Sequence, residues 1–305
     1  QDPNAASGNE QVVGDSVVRT FELDTPRGLL RAVARRDPAQ MTWWQIEPLI
    51  KSDADVDRVL SLPDCPPVPD TGKLAALQSR IGEAGMLRLS IGDALGHVVG
   101  LFDFEDFVLR CARDDGPIRA LLDKIQAQLL LTVRAMGAAV KEACFRLWGP
   151  EYCGAPLMNP KVYFPRYVVE PDRVLTRVIH ETGNFSVIHC HGRLNAILEM
   201  IAETGADALE PIETLPMSTA DVTMADVKRR IGNRMCLMGG VQAHTLETGT
   251  PEQVRRQVRE VIDAGATDGG FVLLPTSAPF MVPLRPGILA NMEAMYHAAH
   301  AYGRY

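Results

Sequence analysis

The feature that most constrains this fold is the regular alternation of short apolar segments with longer amphipathic segments after about residue 80. Six short apolar segments are predicted to be strands, at residues 86–91, 143–148, 185–189, 208–211, 235–238 and 271–274. Six longer segments are predicted to be helices, at residues 118–136, 171–182, 194–204, 220–231, 251–264 and 287–302. Strands that alternate with helices of this length indicate a parallel sheet.

Helix boundaries are marked by local signals. Thr250 precedes Pro251 and Glu252, which is a typical helix start, and glycines stand where several helices should stop, at Gly183, Gly205, Gly232 and Gly265. The repeated unit predicts an α/β protein of the (β/α)8 barrel type. A closed barrel needs eight strands, so we expect a barrel that is incomplete at its N-terminus or that has two strands hidden in the irregular first 80 residues.

The N-terminal part reads as irregular. Residues 25–28 carry turn chemistry, residues 43–44 form a short aromatic segment, and residues 53–60 predict a short helix. Gln1 to Asn4 resemble the remnant of an expression tag. We therefore assign residues 1–20 to a tag remnant and irregular segment, and residues 21–305 to one barrel domain.

Charge and cysteine content restrict the function classes. The formal net charge is −7, with no basic stripe, which argues against nucleic acid and anionic membranes as partners and leaves small-molecule substrates. The six cysteines form no CxxC pair, and no apolar run approaches the length of a membrane span. These features predict a cytoplasmic protein, and they leave open whether it forms a homodimer.

Polar residues follow the predicted strands, where barrel proteins carry their chemistry. His189 and His191 lie two residues apart, so both imidazoles should face the same side, with Cys190 facing the opposite side. With Glu213 or Glu151 on neighbouring strand ends, they could bind a zinc-type metal with an open position. The alternative is that one imidazole caps the strand and the other faces solvent.

The remaining strand ends supply further candidates. Glu151 and Glu213 are predicted to act as general acid or base, since both carboxyl groups follow strands. Candidate substrate contacts at the other strand ends are Asp93, Tyr152, Gln242, Thr276 and Ser277.

These strand ends, in this order, resemble the uroporphyrinogen decarboxylase superfamily, which includes the haem-pathway decarboxylase and zinc-dependent cobalamin or coenzyme M methyltransferases. The matching segments lie at residues 187–192, 203–209, 237–242, 246–252 and 269–273, with Asn291 near the last helix. The resemblance extends over about residues 25–303 and implies a (β/α)8 barrel. It also implies that the first two strands of the family barrel are missing upstream of Phe21.

The departures from the family pattern bear on function. The decarboxylases carry an arginine-rich first strand followed by an aspartate, and neither is found here. The methyltransferases use His-x-Cys and a later Cys as zinc ligands, whereas this chain has His191 at the Cys place and Thr276-Ser277 at the late one. Imidazole and carboxylate in place of sulfur make a harder site, suited to polarising oxygen.

Three functions follow as hypotheses. The first is a metal-assisted methyltransferase or O-demethylase that uses zinc and passes a methyl group from a small substrate to a corrinoid protein. The second is a cofactor-free decarboxylase of a porphyrinogen-like acid, which the acidic or neutral strand ends disfavour. The third is a non-catalytic binding paralogue.

Overall fold

The computed structural model describes residues 7–65, 68–279 and 282–303, so the proposed tag remnant at Gln1 to Asn4 lies outside the described residues. The chain begins with a four-stranded antiparallel sheet whose spatial order follows the sequence. Its strands are β1 (Ser7–Val13), β2 (Ser16–Thr25), β3 (Gly28–Arg36) and β4 (Trp44–Glu47).

This sheet corrects the prediction of an irregular N-terminal segment. The expected turn at residues 25–28 is present, and it joins β2 to β3: the Thr25 hydroxyl donates to the Gly28 carbonyl at 2.7 Å, and Gly28 has a φ of 120°. These strands alternate only weakly between buried and exposed positions, so the usual strand pattern is faint in the sequence. The boundary predicted at residue 20 falls inside β2.

A six-stranded parallel sheet follows, with spatial order β10-β9-β8-β7-β6-β5. Its strands are β5 (Arg88–Ser90), β6 (Cys144–Trp148), β7 (Phe185–His189), β8 (Ala208–Ile212), β9 (Cys236–Val241) and β10 (Phe271–Pro275). All six predicted strands are confirmed. Within the described part of the chain β5 and β10 do not pair with each other, so the α/β class is confirmed whereas a complete barrel is not.

Helices connect these strands. The first five are α1 (Asp53–Leu60), α2 (Thr71–Ile81), α3 (Ala94–Val99), α4 (Phe104–Arg113) and α5 (Gly116–Ala139). The others are α6 (Pro160–Phe164), α7 (Glu170–Glu181), α8 (Leu198–Glu203), α9 (Met224–Ile231), α10 (Ala243–Thr248), α11 (Pro251–Gly265) and α12 (Pro286–Tyr302). The six predicted helices and the short helix at residues 53–60 are confirmed, although α8 and α9 begin four residues later than predicted. The helices α2, α3, α4, α6 and α10 were not predicted.

The two faces of the parallel sheet differ. Phe145, Leu147 and Ile188 are fully buried in the main core, against the helices. Because successive residues of a strand alternate sides, the other face carries Cys144, Val187 and Ala208 in a small separate cluster. No described helix has the length and apolar character that a membrane span requires.

Candidate active site

The polar cluster of this structure lies on that second face, and it extends from the first residue of β5 to the last residue of β7. Arg88, Arg146, His189 and Glu210 come from the four neighbouring strands β5 to β8. Strand register places His189 beside Trp148 on one side and beside Glu210 on the other. Four side chains that are far apart in sequence are therefore brought together by the sheet alone.

Glu210 is the centre of this cluster and is 3% exposed. Its Oε1 accepts hydrogen bonds from the Arg88 guanidinium and, at 2.5 Å, from Nε of Arg146. Burial raises the pKa of Glu210, but its polar contacts with His189 and Arg146 and the charge of Arg88 outweigh burial and lower the pKa below its usual value. Glu210 is therefore an ionised carboxylate that holds two cations in place.

His189 lies between groups of opposite character. Its Nδ1 is 2.5 Å from Nη2 of Arg146 and 3.3 Å from Oε1 of Glu210. A guanidinium can only donate, so a neutral imidazole accepts from Arg146, whereas a protonated imidazole can donate to Glu210. Burial, followed by Arg146, lowers the pKa of His189 against the opposing effect of Glu210. The ring thus has a partner in either protonation state.

His191 continues the cluster outward. Its ring packs edge-on against His189 with ring centroids 4.6 Å apart, which confirms that the two imidazoles share a side. Cys190 is fully buried in the core, as predicted. The carboxylate of Glu213 lies 3.3 Å from Nδ1 of His191 and accepts from the Gly192 amide at 3.0 Å. These bonds outweigh burial and lower the pKa of Glu213.

A cavity of about 460 Å³ opens over these groups, and we call it the rim pocket. Its polar lining comprises Arg88, Arg146, His189, His191, Glu210, Thr276 and Ser277. Gln242 is buried beneath it, where its Oε1 lies 3.5 Å from the Thr276 hydroxyl. Thr276 and Ser277 therefore lie where the sequence predicted substrate contacts, and Gln242 supports Thr276 from behind.

Three predicted residues lie at the ends of β5 and β6. Asp93 is fully buried and caps α3 by accepting from the Gly96 amide at 2.6 Å, so it offers no surface to a substrate. Glu151 accepts from the Gly149 amide at 3.2 Å, and its charge acts on His189. Tyr152 packs against Phe104 in a separate groove of about 500 Å³.

The donor arrangement does not fit a zinc ion. Among the described residues no three His, Cys, Asp or Glu side chains lie close enough together to hold a metal. Nδ1 of His189 is in contact with a guanidinium, and both oxygens of Glu213 are engaged by His191 and Gly192. The guanidinium group of Arg146 beside His189 would also repel a divalent cation. Zinc binding stays a prediction from sequence that this geometry does not support.

The sequence reasoning missed Arg88, Arg146 and the central role of Glu210. A signal for the arginines was available, because strands of a parallel sheet covered on both faces are nearly continuous in apolar residues. Arg88 and Arg146 each interrupt a predicted strand. The prediction of acidic or neutral strand ends did not consider residues within the strands, and two guanidinium groups line the pocket from there.

The fold and the pocket together define an α/β protein with a polar site at the carboxyl ends of parallel strands. Residues 154–302 match the family model for uroporphyrinogen decarboxylase (URO-D), which confirms over these residues the resemblance seen in the sequence. A solved methyltransferase from Methanosarcina mazei has a similar fold, with a TM-score of 0.65 and 16% identity over 87% of this chain and 74% of that chain. No curated protein sequence matches this chain.

Proposed function

We propose that this protein is an enzyme of the uroporphyrinogen decarboxylase superfamily that binds a small anionic substrate in the rim pocket. The observation that carries the proposal is the convergence of two guanidinium groups on a single carboxylate. With neutral imidazoles, Arg88, Arg146 and Glu210 leave the pocket lining with one excess positive charge. A half-exposed arginine such as Arg88 retains free N–H donors for a carboxylate ligand.

The proposed reaction is a cofactor-free decarboxylation. The bond between a substrate carbon and its carboxylate breaks, its electron pair stays on that carbon, CO2 leaves, and the carbon takes up a proton. His189 is suited to deliver that proton, since Glu210 stabilises its protonated form and Arg146 its neutral form. Glu213 orients His191, and Glu151 adds negative charge near His189.

The test uses arginine variants and a panel of small monocarboxylates and dicarboxylates, with binding measured by calorimetry. R88Q and R146Q should weaken carboxylate binding at least tenfold, because each removes a charge from the pocket. R88Q is the cleaner variant, since the Arg88 side chain is 49% exposed and its loss leaves Glu210 bonded to Arg146. R119Q is the control, because Arg119 pairs with Asp115 outside the pocket. Equal carboxylate binding by R88Q, R146Q and R119Q would contradict the proposal.

Methyl transfer is the second candidate, favoured by the similarity of fold to a methyltransferase. In that reaction a small methylated substrate would occupy the rim pocket and a corrinoid protein would be the partner. Stoichiometric zinc in the purified protein, together with transfer of a methyl group to an added corrinoid protein, would favour this candidate. Release of CO2 from a bound carboxylic acid without metal would favour decarboxylation.

A further inference from the structure

Two buried aspartates lie near the rim and have no part in the proposed reaction. Asp93 follows β5, and Asp172 lies in the first turn of α7; both are fully buried. Because α7 leads into β7 and runs antiparallel to it, its first turn lies at the carboxyl end of the sheet. Both carboxyl groups therefore lie at the same end of the molecule as the rim pocket.

Most of their oxygen atoms lack a donor. Oδ1 of Asp93 accepts from the Gly96 amide at 2.6 Å. Within the described residues, Oδ2 of Asp93 and both carboxyl oxygens of Asp172 have no hydrogen-bond partner. An ionised carboxylate that is buried without donors is strongly unfavourable, and a proton on either carboxyl group supplies a donor within the pair.

The charges that act on the pair are negative. Asp93 interacts electrostatically with Asp172 of α7 and with Glu151 in the turn after β6. The titratable side chains of Tyr152, Cys153 and Cys190 also lie within electrostatic reach of Asp93, and none of them carries a positive charge. His97 of α3 is turned away, since its Nε2 contacts the Ile91 carbonyl at 2.8 Å. Burial, with the charge of Asp172, raises the pKa of Asp93 well above its usual value, and burial does the same for Asp172.

We propose that Asp93 and Asp172 retain a shared proton in the folded protein and that this neutralised acid pair supports the turn that carries Glu151. The Cα of Gly149 packs directly on Oδ1 of Asp93, because a Cβ added at Gly149 would overlap that atom. The Gly149 amide in turn donates to Glu151. Asp93 is thus a positioning residue. Its role toward Glu151 rests on the proposed function, whereas the shared proton is independent of that function.

The first test is the pH dependence of stability. The folded pair keeps a proton that the unfolded chain releases above the ordinary aspartate pKa, so the contribution of the pair to stability is greatest at low pH and is lost as pH rises through the folded pKa. For each retained proton, the equilibrium constant for folding should fall about tenfold per unit rise in pH. Urea unfolding of the parent and of D93N/D172N should differ by this slope between pH 5.5 and pH 8. A loss of stability that is the same at every pH does not change this slope, so the double variant can be less stable and still serve the test. The side-chain oxygen of the asparagine in D93N can still cap α3.

The control is D123N, because Asp123 is an exposed aspartate on α5 whose loss should leave the slope unchanged. Identical slopes in the parent and in D93N/D172N would overturn the proposal. If the double variant does not fold, infrared spectroscopy of the parent at pH 7.5 decides the question, since a protonated carboxyl group absorbs apart from carboxylates. Absence of that band would overturn the shared proton. Failure of carboxylate binding in the arginine test would leave the proton intact and remove only the role at Glu151.

Discussion

Gly149 connects the end of β6 to the turn that carries Glu151, and its backbone has a φ of 137°. Residues other than glycine rarely adopt this conformation. The position is also crowded, because an added Cβ would come within 2.6 Å of the Gly96 amide as well as overlapping Asp93. Both the backbone conformation and the space therefore require glycine at this residue.

We expect G149A to lower the free energy of unfolding by about 2–5 kcal/mol, combining backbone strain with overpacking. G192A is the matched control, because Gly192 also has a positive φ, of 88°, but an added Cβ would meet no atom within 4 Å. It should lose about 1–2 kcal/mol from strain alone. Urea unfolding measures both, and equal losses would show that the contact with Asp93 has no effect.

Helix α11 shows how far local signals determine an element. Its start is a capping box, in which the Thr250 hydroxyl accepts from the Gln253 amide and the Gln253 side chain accepts from the Thr250 amide. The sequence predicted the N-cap from Thr250, Pro251 and Glu252, since all the interacting groups lie within four residues, but it did not predict the reciprocal bond of Gln253. The same locality explains why the strands and most long helices were predicted close to their observed bounds.

T250A should lower the free energy of unfolding by about 1 kcal/mol, because it removes one side of the capping box. T267A is the control, since Thr267 is an exposed threonine beyond the end of α11. It should change stability by less than about 0.5 kcal/mol. Thermal or urea unfolding measures both variants. A larger loss of unfolding free energy in T267A than in T250A would contradict this assignment of the cap.

The N-terminal strands were read as irregular although β1 pairs with β2, and β2 with β3, through short local turns. Their positions alternate only weakly between buried and exposed, so the usual strand pattern is faint. The candidate site was predicted only in part. His189 and His191 share a side because of strand geometry, whereas the link between Arg88 and Glu210 joins residues 122 positions apart and leaves no local trace.

At the scale of the whole molecule, the antiparallel sheet is attached to the body through a small number of contacts. Leu30 of β3 is 1% exposed and belongs to the main core, whereas its neighbour Leu29 is 51% exposed. Farther along, the Val282 amide donates to the Ala39 carbonyl at 3.1 Å and ties the sheet to the segment that follows β10. Leu30 is therefore the main apolar anchor on β3.

L30A should cost about 2–5 kcal/mol of unfolding free energy, as expected for a large buried side chain, and should expose the β2–β3 turn to limited proteolysis. L29A, one residue earlier on the opposite face, should cost less than about 0.5 kcal/mol and leave the cleavage rate unchanged. Similar effects of the two substitutions would mean that the sheet does not dock through Leu30.

The ion cluster at Glu210 also has a consequence for the order of folding. Each parallel strand pairs with the strand that precedes it in sequence, so the sheet can grow by one strand at a time as the chain is synthesised. Arg88 and Arg146, however, lie 122 and 64 residues before Glu210. Neither arginine can contact this carboxylate before β8 has docked. The charged interior of the pocket is therefore completed late, when four strands are already in register.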